Sequence, residues 1–229
     1  MTDHQPPLER TVFNFHGIGV PHAGVPADEA PYWCPTDLFM HLADAMADLL
    51  REGRSIEITF DDGNRSDLDI AAPILADRGL SATFFACSGR LDDPRYLDGA
   101  GLRSLEVMGM VVGSHGRNHV DLRRADAATL RQETSGSQQT LSEALGRPVD
   151  RFAIPFGSYD RRVLGALKTY TRIYNSDQTR AGPQNQRFVP RISYTTGWTK
   201  ETVQQRVAER YSYVRQQKQN LKSTLKRLR

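Results

Sequence analysis

"EITFDDGN", residues 57–64, is a short run of strand character that ends on two adjacent acids and a glycine. Two carboxylates that face one cavity repel each other, and at least one pKa rises. The same letters at a surface are merely a strand followed by an Asp-Gly turn. The rest of the chain decides between these readings.

Similar apolar or β-branched runs recur on both sides: "TVFNFH" (11–16), "IEITF" (56–60), "ATFFAC" (82–87) and "MVVGSH" (110–115). They continue with "RFAIPF" (151–156), "TRIYNSD" (171–177) and "RFVPRISY" (187–194). Helix-like stretches separate them over 35–52, 67–78, 99–108, 126–145 and 160–169, with Asp67 and Asp126 as N-caps and Gly79 as a C-terminal stop. Seven runs alternating with helices predict a parallel α/β arrangement, either a doubly wound sheet or a closed barrel. In a barrel, chemistry gathers at the C-terminal ends of the strands. His16, Asp61, Asp62, His115, Asp177 and the Pro155-Phe156-Gly157 turn all stand at or just past the end of a run.

The chain of 229 residues is long enough for a sizeable core, and its 38% hydrophobic and 25% charged residues are those of a soluble globular protein. No apolar run approaches the ~18 residues of a membrane span. The polar start "MTDHQPPLER" lacks the charged-then-apolar layout of a secretory signal, so the expected location is the cytoplasm. Cys34 and Cys87 are far apart, which argues against thiolate metal chemistry and a disulfide framework. Cys87 ends an apolar run and reads as a small buried hydrophobe. From Tyr211 to Arg229 there are six basic residues and no acid, so the remainder carries 24 basic against 27 acidic residues. Such a tail could touch an anionic surface or be a solvated helix end; Val214, Leu221, Leu225 and Leu228 give it one apolar edge. It is no strong signal for nucleic acid.

"GSHGRNH" supplies His115 and His119, and Gly113 and Gly116 break any helix there, so a strand end bends back to return the second imidazole. Two imidazoles and a carboxylate form a common shell for catalytic zinc or a similar divalent ion, whose water is acidified. One of the paired acids can then hold the metal while its neighbour takes a proton.

"TFDDG", then "SHGRNHVDL", then "AIPFG" together resemble the polysaccharide deacetylases of carbohydrate esterase family 4, over about residues 13–194. The resemblance implies a distorted (β/α)7 barrel and metal-dependent removal of acetyl from an N-acetylated sugar. It makes Asp61 the general base and assigns Asp62, His115 and His119 to a divalent ion, zinc first. It also implies one catalytic domain over 1–200 and a basic helix or tail over 201–229.

The motifs depart from that family in three places. An arginine usually stands where this chain has Ala153, an acid where it has Arg180, and a late histidine is absent from "FVPRISY". Arg191 is the expected replacement for the missing guanidinium, lowering the pKa of Asp61. His16 is the expected general acid, the other reading being a core histidine bonded to a backbone carbonyl. The Gly- and Pro-rich stretch 17–34 follows His16, and Tyr32 and Trp33 in it could stack on a sugar or pack on the rim, as could Trp198. Pro155, Phe156, Gly157 and Asp177 complete the expected carbohydrate-binding set. Two other readings remain: an amidohydrolase of this fold acting on a small amide or formamide, and a catalytically silent glycan-binding relative.

Overall fold

The computed structural model describes residues 10–178, 181 and 186–208. Eight parallel strands form one sheet in the order β7-β6-β5-β4-β3-β2-β1-β8. They are β1 Thr11–Phe15, β2 Ile56–Phe60, β3 Thr83–Ala86, β4 Val111–Ser114, β5 Arg151–Ala153, β6 Arg172–Asn175, β7 Phe188–Pro190 and β8 Ile192–Ser193. Every one of the seven runs supplies a strand, and the last supplies two. A single residue, Arg191, separates β7 from β8, yet β7 pairs with β6 and β8 pairs with β1. The two edges of the sheet are therefore joined by one short segment, and the sheet is nearly closed into a distorted barrel. Pro190 has no N–H for the ladder, which suits the residue where pairing changes sides.

Outside the sheet lie α1 Thr36–Arg51, α2 Ala72–Ala76, α3 Gly99–Val107, α4 Ala127–Arg131, α5 Ser137–Leu145, α6 Arg161–Ala166 and α7 Lys200–Ala208. π-Helical turns, Asp67–Ala71 and Gln132–Gly136, lead into α2 and join α4 to α5. Asp126 caps α4 through the Thr129 amide, and Gly79 takes the left-handed φ of a helix stop. Asp67 does not cap. The helical backbone already begins at Ser66, and the Asp67 carboxylate is turned into the protein, wholly buried. Burial and the nearby charges of Asp62 and Asp61 push its pKa well above the ordinary carboxylate value. α7 packs against α1 with Val203 and Val207 buried. Residues 209–229, including Val214, Leu221, Leu225 and Leu228, lie outside the described residues. Among the described residues, no helix is long and apolar enough to cross a membrane.

Strand alternation divides the apolar side chains into two layers. Phe13, Phe15, Ile58, Phe60, Phe84, Phe152 and Ile173 face the helices in a large outer core. Phe60 stacks on Phe84 at 4.6 Å, and Phe15 on Phe60 at 5.5 Å, so this layer fixes the β1-β2-β3 side of the sheet. Trp198 joins the outer layer, edge-on to Phe13 at 5.7 Å, and is a packing residue. The inner core is small: Val12, Phe85, Ala153, Tyr174, Ala181 and Val189. Alternation also places Glu57, Thr59 and Asp61 on the inner face of β2. At the far end Glu57 accepts from Arg172 and Tyr174, and at the near end Asp61 enters the site.

Gly113 of β4 makes room for the inner layer. A Cβ there would lie 2.6 Å from the Phe85 ring and 3.1 Å from the Arg151 carbonyl. Gly113→Ala is expected to destabilise the fold by about 1–3 kcal/mol, read as a lower urea midpoint with an unchanged m-value.

Candidate active site

The acid pair is split by backbone geometry. The Asp61 amide donates to the Phe15 carbonyl at 3.0 Å, continuing the ladder, and its side chain points into the barrel. Asp62 and Gly63 then both take left-handed φ values of 78° and 70°, which bends the chain sharply. Glycine is required at 63, because a Cβ would stand 3.0 Å from the Ala86 side chain.

Asp61 is gripped from below. Arg191 donates Nη1 to Oδ1 at 2.7 Å and Nη2 to Oδ2 at 2.8 Å, a bidentate pair with a wholly buried guanidinium. Asn14 adds a bond to Oδ2 at 3.0 Å, and its own Oδ1 accepts from Arg191 at 2.7 Å and Thr59 at 2.8 Å. The Phe85 and Tyr174 rings flank the guanidinium at 5.5 and 5.9 Å. Ala153 belongs to the same inner cluster as those two rings, so a small residue there leaves the interior to Arg191. Burial alone would raise the pKa of Asp61, but the Arg191 guanidinium prevails and holds it well below the ordinary carboxylate value. Asp62 has a cation of its own: Arg90 reaches its Oδ1 at 3.3 Å while lying over the Tyr96 ring at 4.6 Å. Burial pushes Asp62 up too, yet neighbouring imidazoles and Arg90 leave it below the ordinary value.

The imidazoles come from the turn after β4. His115 donates its Nδ1 proton to the Ala153 carbonyl at 2.9 Å, which leaves Nε2 with a free lone pair. Burial lowers its pKa to about 4, so the ring is neutral. His119, at φ 54°, returns to stand beside it with ring centres 4.9 Å apart. Ligand atoms of Asp62, His115 and His119 all lie within 4.8 Å of one another. One carboxylate, a neutral imidazole with its lone pair free and a second imidazole suit a zinc-like divalent ion. The residues fit the expected group.

A cavity of about 330 Å³ opens above this set, lined by His16, Glu29, Tyr32, Asp61, Asp62, His115, His119, Phe156 and Gln178 among others. The His16 ring sits 5.1 Å from that of Tyr32, and its buried Nδ1 has no hydrogen-bond partner among the described residues. No backbone carbonyl among the described residues accepts from that nitrogen. Phe156 is 62% exposed, at φ 56°, and its ring lies 4.5 Å from that of His119. Pro155 and Gly157 are buried behind it and shape the turn. Asp177 accepts from the Tyr159 hydroxyl at 2.9 Å and does not line the cavity. Trp33 does not line it either. Its indole fills the space beside Gly17, where a Cβ would come within 2.3 Å, and so belongs to the loop's packing. Asn14, Arg90, Glu29 and Gln178 were not legible as site residues. Only Asn14 had a signal, a lone amide inside a strand otherwise built for burial.

A family model described as polysaccharide deacetylase matches residues 50–172. The Bacillus subtilis strain 168 protein YxkH, whose name assigns it provisionally to the polysaccharide deacetylases, is 23% identical over 115 residues. The match takes in 50% of this chain and 41% of that protein, so the chain spans less than half the length of this relative. Among solved structures, the Streptococcus pyogenes deacetylase PplD in complex with acetate superposes with a TM-score of 0.76 at 21% identity, over 90% of this chain and 100% of that one. A polysaccharide deacetylase from Bacillus cereus gives 0.73 at 20% identity, over 87% and 69%. A de-N-acetylase from Aggregatibacter actinomycetemcomitans gives 0.70 at 17%, over 86% and 98%. At these identities the structural likeness is one of fold.

Proposed function

The chain belongs to the polysaccharide deacetylase family, and from that premise we propose that it is a metal-dependent hydrolase removing N-acetyl groups from an N-acetylated sugar. The observation that carries this reading is the clamp of buried Arg191 on Asp61, with Asp61, Asp62, His115 and His119 all lining one cavity. When bound by those three residues, a divalent ion, zinc first, supplies Lewis acidity that acidifies water and polarises the acyl oxygen. The Asp61 carboxylate, ionised and fixed in orientation, accepts the proton of the attacking water. Its pairing with Arg191 lowers its proton affinity, so its contribution is orientation as much as basicity. His16, which lines the cavity, delivers a proton to the departing amine. Tyr32 and the exposed Phe156 ring offer apolar faces to a pyranose.

The intact clamp supports an enzyme over a silent glycan binder, because it keeps the acid of the family's first motif charged and placed. Metal analysis with acetate release from a panel of N-acetylated oligosaccharides tests the reading. Turnover confined to small amides or formamides would favour the amidohydrolase instead, and no turnover with metal bound would favour the binder.

His119→Ala removes one of three protein ligands and is expected to abolish stoichiometric metal binding while the barrel stays folded. Elemental analysis and circular dichroism check it, and a full equivalent of metal at unchanged affinity would refute the ligand assignment.

A further inference from the structure

The turn that carries both histidines is held from outside by one buried acid. Glu133 lies in the π-helical turn Gln132–Gly136 between α4 and α5, and it is fully buried. Its partners are backbone amides of the turn itself: Oε2 accepts from Arg117 at 2.7 Å and Asn118 at 3.0 Å, and Oε1 from Asn118 at 3.1 Å. One turn further on, Ser137 donates to the Gly116 carbonyl at 2.7 Å. The Ser114 hydroxyl, 2.8 Å from that of Ser137, accepts from the Gly116 amide at 3.2 Å. The helix thus presents an acceptor and a donor to three consecutive residues lying between His115 and His119.

That grip answers a specific need. Gly116 takes its left-handed φ of 83° freely, but His119 at φ 54° is an L residue in a strained conformation that relaxes unless the surrounding turn fixes it. Glu133 also closes the space beside Gly116, where a Cβ would meet Oε2 at 2.8 Å. Packing alone would be served better by an apolar side chain, since a buried carboxylate must be matched by donors.

We propose that Glu133 is a positioning residue of the metal centre, setting the turn in the conformation that aims His115 and His119 at one point. The inference rests on the reading of Asp62, His115 and His119 as metal ligands. Its test is zinc affinity by chelator competition, with the absorption spectrum of the cobalt(II)-loaded chain and thermal melting of the metal-free chain alongside. Glu133→Gln keeps the shape but turns an NH2 group towards amides that need an acceptor. It is expected to weaken zinc binding about 10–100-fold and to change the cobalt spectrum, while metal-free unfolding stays cooperative. Glu133→Asp keeps the charge but shortens the reach, and partial recovery of affinity relative to the Gln variant is expected. Wild-type affinity and an unaltered cobalt spectrum in Glu133→Gln overturn the inference. Should that variant fail to fold, the same result in Glu133→Asp overturns it. A wild-type chain that binds no zinc instead overturns the ligand assignment, and this inference with it.

Discussion

Asp61→Asn is expected to retain its metal and to lose turnover by about 10²–10⁴-fold. The substitution preserves size and leaves one carbonyl oxygen to accept from Arg191, but an amide cannot take a proton from water at neutral pH. It also sets an NH2 group against a guanidinium that donates to both oxygens of the native carboxylate at 2.7 and 2.8 Å. None of the three residues assigned to the metal is altered, so metal content separates loss of the base from loss of the site. Near wild-type kcat/KM in a metal-loaded Asp61→Asn chain would transfer the role to another group, with His16 the first candidate.

Arg191→Ala is expected to lower both stability and rate. Removing one partner of a buried pair leaves the other charge uncompensated, at a loss of about 3–5 kcal/mol. The sign of the pH effect follows from the two opposed influences on Asp61. Burial favours the neutral acid and Arg191 favours the carboxylate, and in the native chain the cation prevails. Without it burial is left the largest influence, the pKa of Asp61 climbs, and the acidic limb of kcat/KM moves to higher pH. Arg191→Lys is expected to fall between, because a point charge cannot reproduce the two parallel bonds of the fork. Urea unfolding and a pH–rate profile read both effects. An Arg191→Ala profile superimposable on wild type would remove Arg191 from the account of the base.

The parts of this fold legible in the sequence were those with a short-range signature. Strands buried on both faces appear as unbroken apolar runs, and all seven were readable, together with the position of each candidate group at a strand end. The division of the last run into β7 and β8 was not readable, since it depends on which edge each half meets. Asp67 had the local spelling of a cap, and local spelling cannot tell an acid that meets its own helix from one turned into the core. Trp33 and Phe156 show the same limit. Both are aromatics in loops near the site, but the space beside Gly17 accepts one and the backbone of the Pro155 turn exposes the other. Glu133 stands in a stretch of ordinary helical composition, and only the meeting of that helix with the histidine turn gives it meaning.

Arg191 does two things at one point in space. It is the residue at which the final strand leaves one edge of the sheet for the other, and it clamps Asp61 from a position 130 residues away in sequence. Contacts of such separation are slow to form and tend to come late in folding. Before this segment docks, the acid pair, both histidines and Glu133 are already synthesised, yet Asp61 has no guanidinium to hold it charged. Under the proposed function, the carboxylate read as the base is held in place only once the segment around Arg191 has docked. The same residue thus joins the two edges of the sheet and holds the acid of the second strand's end, so closure of the sheet and ordering of that carboxylate are one event.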